Sequence, residues 1–273
     1  MLIYRDAYVC QACGAHGSAI DFLMNYQKMP FARALNILEK GPKVEPREIV
    51  YEEESEKPRE LSWNIAAKCF AALNQHAIDY YHARGLKDET IRHFMLGWHK
   101  EKKRFVIPVS QGGKLLAVRY RRDDSNSNDT GDKMSAERGY NSTLLFNSDS
   151  LRGKDTAIIC EGEFDAMILW QELGGEYGVV TSTNGAGAFR KVWVKEYFSD
   201  VVYPFVCMDA DKPGQDAAMR IWKMMRRSRI IKLPEMGEGK KDIGDYFLMG
   251  YTAEQFKELM ARAINPWSKK WAT

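Results

Sequence analysis

The sequence predicts an α/β protein built on a mostly parallel sheet flanked by helices, and three observations lead there. Short apolar runs read as strands: Thr156-Ala157-Ile158-Ile159-Cys160, Gly178-Val179-Val180-Thr181-Ser182, Phe205-Val206-Cys207-Met208 and Ile230-Ile231-Lys232-Leu233-Pro234. Between and after them, Ile221-Trp222-Lys223-Met224-Met225 and Phe256-Lys257-Glu258-Leu259-Met260 carry apolar residues at helical spacing and read as core-facing helices. Acids then follow the strand ends, with Glu161 after the first run, Asp209-Ala210-Asp211 after the third, and Asp242 and Asp245 beyond the fourth. In an open α/β sheet, ligands bind in the crevice beyond the carboxyl ends of parallel strands, so these acids are expected to face a site.

Carboxylates this close repel one another unless a cation, hydrogen bonds or raised pKa values offset the repulsion. Magnesium suits such a set, since it takes hard oxygen ligands, needs one or two protein carboxylates, and leaves its other positions to water and phosphates. Asp209 and Asp211, two apart, point to the same side if the strand is still extended there. One such pair alone would cap a helix or sit solvated on a loop; three sets after successive strands point to a metal site.

Upstream, Cys10-Gln11-Ala12-Cys13 with His16 supplies at most three ligands of the four that a closed structural zinc site needs, so a metal-free remnant is expected. Residues 19–24 and 30–38 have the spacing of two short helices. Residues 41–60 turn acidic, with Pro42, Pro46 and Pro58 around Glu52-Glu53-Glu54, and read as a tether. The runs 104–109 and 114–122 read as a hairpin turned at Gly112-Gly113, where glycine supplies positive φ; alternation places Arg119 and Arg121 on one face. Residues 123–140 are polar and rich in turn formers, which predicts a mobile loop. The glycines of Thr183-Asn184-Gly185-Ala186-Gly187 fit neither a dinucleotide fingerprint nor a P-loop, and a small-residue turn is expected there. Trp267, Lys269, Lys270 and Trp271 read as a frayed end.

Glu161-Gly162 followed by Asp165, then Asp209-Ala210-Asp211-Lys212-Pro213-Gly214, resembles the Toprim domain shared by DnaG-type primases, topoisomerases, RecR proteins and some nucleases. Lys241-Asp242-Ile243-Gly244-Asp245-Tyr246 looks like the matching element of phage primases. Arg84-Gly85-Leu86 with the helix and Phe94-Met95-Leu96-Gly97 after it, and the hairpin that follows, resemble the primase polymerase core. The N-terminal Cys10-Cys13 stretch resembles the second half of a primase zinc ribbon of the CHC2 type, whose earlier Cys-x-x-His pair has no counterpart after Met1. The expected architecture is therefore a Toprim domain over 151–273, a small basic α+β primase-core subdomain over 61–150, an acidic linker over 41–60, and an incomplete zinc-ribbon module over 1–40.

The resemblance implies a primase that joins ribonucleotides into short primers on single-stranded DNA. It assigns catalysis to Glu161, Asp209 and Asp211, and magnesium or manganese to these together with Asp165, Asp242 and Asp245. Template phosphates and nucleoside triphosphates would fall to Arg84, Arg119, Arg121 and, from a looser alignment that also offers Arg138, Lys133. Zinc at Cys10 and Cys13 is not expected unless a partner chain completes the site. Further partners implied are a replicative helicase or a separate zinc-bearing chain. A metal-dependent nuclease and a non-catalytic single-stranded DNA-binding replication module are the alternatives.

With 273 residues, 45% of them hydrophobic, the chain has room for two modest domains and a linker. No apolar run approaches the roughly 20 residues that span a bilayer. Five cysteines, an odd number with Cys160 and Cys207 on expected central strands, argue against a disulfide framework. A cytoplasmic protein of a bacterial cell or phage-infected host is expected. The net charge of +3 neither supports nor excludes a polynucleotide partner, because the acids mask any basic groove.

Overall fold

In a computed structural model, the residues described are 2–3, 7–9, 16–25, 27–40, 59–138, 140 and 143–267. The chain divides into two units, Met1–Ser55 and Glu56–Thr273. In the first, β1 (Leu2–Ile3), β2 (Ala7–Val9) and β3 (His16–Ser18) form an antiparallel sheet, followed by helices α1 (Ala19–Asn25) and α2 (Phe31–Lys40). Ser18 starts α1 through a reciprocal box: its backbone N–H donates to Asp21 Oδ2 at 2.7 Å, and Asp21 N–H donates to Ser18 Oγ at 3.3 Å. Both short helices appear where the spacing places them. Cys10, Cys13 and residues 41–58 lie outside the described residues.

The second unit opens with α3 (Trp63–Ala71) and α4 (Gln75–Ala83), N-capped by Ser62 and Asn74, and the short α5 (Asp88–His93). A four-stranded antiparallel sheet follows, β4 (Gly97–His99), β5 (Arg104–Gln111), β6 (Lys114–Arg122) and β7 (Met134–Ala136), in that order. The β5–β6 hairpin turns at Gly112 (φ 59°) and Gly113 (φ 78°), as the glycine pair requires. Both faces of this sheet are covered. Val106, Val118 and Tyr120 pack with Ala66 and Cys69 of α3, while Phe105, Ile107 and Ala117 join the core that continues into the parallel sheet.

Arg119 and Arg121 sit opposite Ile107 and Phe105, and each is only 6% exposed, so they do not form a solvated outer face. The stretch 123–140 also departs from a mobile loop. Part of it pairs as β7, and buried Arg104 pins the rest, gripping Asp129 through two bonds of 2.7 Å and donating to Asp132 O and Ser135 Oγ. Polar composition suggested disorder, but here the polar groups satisfy a buried guanidinium.

The parallel sheet contains β8 (Leu145–Phe146), β9 (Thr156–Cys160), β10 (Gly178–Ser182), β11 (Tyr203–Cys207) and β12 (Arg229–Ile230) in the order β12-β11-β9-β10-β8. β8 alone runs antiparallel to its neighbour, β10. Helices α6 (Glu163–Glu172), α7 (Lys191–Glu196), α8 (Lys212–Met224), α9 (Ile243–Leu248) and α10 (Ala253–Ala261) complete the unit. The fourth run leaves the ladder early: Ile231 N–H still donates to Val206 O at 2.9 Å, and the chain then departs toward Pro234.

The strand order fixes where a site belongs. From β9 the chain crosses through α6 to β10 on one side; from β11 it crosses through α8 to β12 on the other. Accordingly α6 packs with Ile158 and Cys160, and α8 with Ala157, Ile159 and Val206, the two alternating faces of the sheet. Between β9 and β11 the winding reverses, which opens a crevice at their carboxyl ends.

Candidate active site

The register aligns Cys160 with Cys207, so Glu161 and Asp209 emerge one and two residues beyond the paired ends. They meet directly: Asp209 N–H donates to Glu161 Oε2 at 3.1 Å. Asp211 caps α8, with its Oδ1 accepting from Gly214 N–H at 2.9 Å, while Gln215 Nε2 donates to Asp209 O at 3.0 Å. A glycine is required at 214, since a Cβ there would lie 2.4 Å from the Asp209 carbonyl oxygen.

The third acidic element is stitched to the second by backbone. Ala210 N–H donates to Lys241 O at 2.9 Å, and Lys241 N–H donates to Asp245 Oδ2 at 2.8 Å. Asp242 and Asp245 form a capping box on α9, with Asp245 N–H donating to Asp242 Oδ1 at 2.7 Å. The helix-capping role that a lone acidic pair suggests is thus real for Asp211, Asp242 and Asp245; the cap takes one oxygen of each, and the second oxygen of Asp211 accepts from Lys241. Asp165, in the first turn of α6, accepts from Gly162 N–H at 3.1 Å.

Electrostatics show that these acids crowd one another. Burial, then the charges of Asp242 and Asp209, push the Asp165 carboxyl well above the usual range. Burial raises Asp209 to about 6, with Glu161 adding to the rise and Lys241 opposing it. Asp211 is held low by its hydrogen bond from Lys241 and that from Gly214. Lys241 Nζ lies 3.0 Å from Asp209 Oδ2 and also donates to Asp211 Oδ2.

Bases gather beside the acids. Lys133 is depressed chiefly by the Arg121 charge, then by burial, with Arg84 and Lys241 adding to it, so these four cations share one neighbourhood. The Arg84 guanidinium sits 4.9 Å from the Phe164 ring centre and 5.2 Å from that of Tyr80, in a cavity that Asp165, Asp242 and Asp245 also line. Arg121 donates to Asp124 at 3.1 Å, and its buried Nε has no hydrogen-bond partner among the described residues. Arg119 forms an ion pair with Glu163 at 2.9 Å and donates to Asn184 Oδ1 at 2.9 Å. The pair is close but not aligned as a hydrogen bond, since Arg119 Nε and Glu163 Oε1 both lack a hydrogen-bond partner among the described residues. The turn at 183–188 thereby gains a task, holding Asn184 against Arg119.

The structure therefore brings Glu161, Asp165, Asp209, Asp211, Asp242 and Asp245 to one crevice with Arg84, Arg121 and Lys133 beside them, while Arg119 is already engaged by Glu163 and Asn184. Lys241, Glu163 and Asn184 had no assigned role from sequence. Lys241 carried a usable signal, a cation immediately before an acidic motif; Glu163 and Asn184 are recognised only through their contact with Arg119. Among the described residues, no group of three or more His, Cys, Asp or Glu converges as a ready metal cage. The donors still suit a divalent ion: crowded hard oxygens match a cation that takes one or two carboxylates.

Residues 158–247 match the Toprim-like family, and residues 3–55 match the CHC2 zinc finger family. The second match hints at zinc binding where the sequence suggested a metal-free remnant. The DNA primase of Synechococcus elongatus is 25% identical over an alignment of 327 residues, covering 95% of this chain and 46% of that protein. The chain spans about half the length of the curated relatives it matches. Among solved structures, the zinc-binding and RNA polymerase domains of Aquifex aeolicus primase superpose with a TM-score of 0.61 at 19% identity, over 95% of this chain and 73% of that one. The primase fragment of the bacteriophage T7 primase-helicase protein gives a TM-score of 0.55 at 20% identity, over 65% of this chain and 72% of that one. Family matches and fold together lead to one conclusion: residues 158–247 form a Toprim-like domain, and the chain shares the fold of DnaG-type primases.

Proposed function

We propose that this chain is a primase core that joins ribonucleotides into short primers on single-stranded DNA, with magnesium or manganese at the acidic crevice. The observation that carries the reading is the meeting of Glu161 and Asp209 at the β9/β11 switch point, beside a cluster of cations. Glu161, Asp209 and Asp211 would hold the metal, with Asp165, Asp242 and Asp245 in support. Bound there, a divalent ion supplies a lowered pKa for the attacking hydroxyl and neutralises charge on the transferred phosphate and the departing pyrophosphate.

The protein's own groups do the rest. Arg84, Arg121 and Lys133 present donors to phosphate oxygens, for which a guanidinium fork is well matched. The aromatic rings of Tyr80 and Phe164 hold Arg84 in place beside the acids. Arg119, clamped by Glu163 and Asn184, acts as a rigid support between β6 and α6. Likeness to the primase fragment of a primase-helicase supports a replicative helicase as partner, and the CHC2 match supports zinc, held by Cys10 and Cys13 with ligands from elsewhere.

The test is primer synthesis on single-stranded DNA with ribonucleotides and magnesium, read as short triphosphate-ended products. Asp209→Asn with Asp211→Asn should abolish the products while DNA binding stays near the parent's. Synthesis retained in that double variant would overturn the assignment. Cleavage of a labelled strand without nucleotides would identify a nuclease instead.

A further inference from the structure

Lys241 sits where a metal would be expected, and three observations bear on what it does there. Its ammonium is 3.0 Å from Asp209 Oδ2 and donates to Asp211 Oδ2, so it neutralises two carboxylates at once. Asp211 is then engaged at both oxygens, since Oδ1 already accepts from Gly214 N–H. The Lys241 backbone is pinned on both sides, its N–H to Asp245 and its carbonyl to Ala210 N–H, whereas its side chain remains 47% exposed. That side chain borders a surface cavity with Pro234, Met236 and Lys240, which leaves room for it to turn aside while the backbone stays fixed.

We propose that Lys241 is an exchangeable internal counter-ion, which occupies Asp209 and Asp211 until a divalent cation displaces it and so sets the metal concentration at which the site fills. The inference rests on the magnesium reading of this crevice. A flexible four-carbon stem carrying a compact charge suits the role, because it supplies charge without a fixed geometry. Before metal arrives, it relieves the repulsion that would otherwise loosen the carboxyl ends of β9 and β11; afterwards it is a free cation at the edge of the site.

Manganese binding to the full chain without nucleotide, followed by electron paramagnetic resonance, tests this. Lys241→Met, which keeps the length and removes the charge, should bind manganese about three- to tenfold more tightly than the parent, the range expected when a partly exposed ion pair no longer competes. Lys241→Arg should remain near the parent. In chelator, Lys241→Met should melt at a lower temperature and gain more on manganese addition. Equal or weaker affinity in Lys241→Met, with the parent binding manganese, would overturn the competition while sparing the magnesium site. Equal tightening in Lys241→Met and Lys241→Arg would trace the effect to packing and also overturn it. No manganese bound by either protein would overturn both inferences together.

Discussion

Asp209 is held where its negative charge is costly. Burial and the Glu161 carboxylate raise it to about 6 from 3.8, against the pull of Lys241. Its folded-state pKa lies above the unfolded one, so the folded protein holds this proton more tightly than the unfolded chain does. The associated stability is full below about pH 4 and is lost as pH rises through about 6. In chelator, Asp209→Asn should therefore melt above the parent at about pH 7.5, by an upper figure on the order of 3 kcal/mol, and converge with it near pH 4. Thermal unfolding at the two pH values checks this; a parent more stable than the variant at the higher pH contradicts it. Lys133 belongs to the same scale. If it contacts a phosphate, Lys133→Gln should weaken single-stranded DNA binding and flatten the log–log salt dependence by about 0.7. An unchanged slope would remove it from the interface.

Whole elements hold these residues in place, and two substitutions probe how. Gly214 lies where α8 begins beneath Asp209, and a Cβ there would come within 2.4 Å of the Asp209 carbonyl oxygen, which is backbone and has little freedom to move. Gly214→Ala should destabilise the protein by about 1–3 kcal/mol and weaken manganese binding as Asp209 is displaced. Denaturant titration with a metal-binding isotherm measures both, and an Ala variant matching the parent in each would show that α8 does not set the Asp209 position. Arg104 fastens the 123–133 segment to β5 through Asp129 and Asp132, and also donates to Ser135 of β7. Arg104→Met should open that segment to limited proteolysis while the parallel sheet keeps its protection. Cleavage first within 156–182 would contradict it.

At the scale of the molecule, what could be read from sequence divides along a physical line. Features set by local chemistry were legible. The apolar strands, the hairpin glycines and the acids after β9 and β11 follow from side-chain period and turn preference, and with them the parallel sheet and its crevice. Features set by tertiary contact were not. Arg119 and Arg121 face inward because the remainder of the unit covers the second face of the β5–β6 sheet, and alternation says which residues share a face, not what covers it. The 123–140 stretch looked free because its acids and amides had no visible partner; Arg104, some twenty-five residues upstream of Asp129, is that partner. In the sequence Lys241 is only the cation that precedes an acidic motif, since folding alone carries it across to Asp209 and Asp211.

The proposed primer synthesis requires acids from two neighbouring strand ends to share one divalent ion at the point where the sheet's winding reverses. Anomalous diffraction from crystals soaked in manganese tests this most directly. It should show a peak within coordinating distance of both Glu161 and Asp209, with Lys241 turned away from them. Saturating manganese with no peak between those two side chains, or a peak bound only elsewhere on the protein, would contradict it.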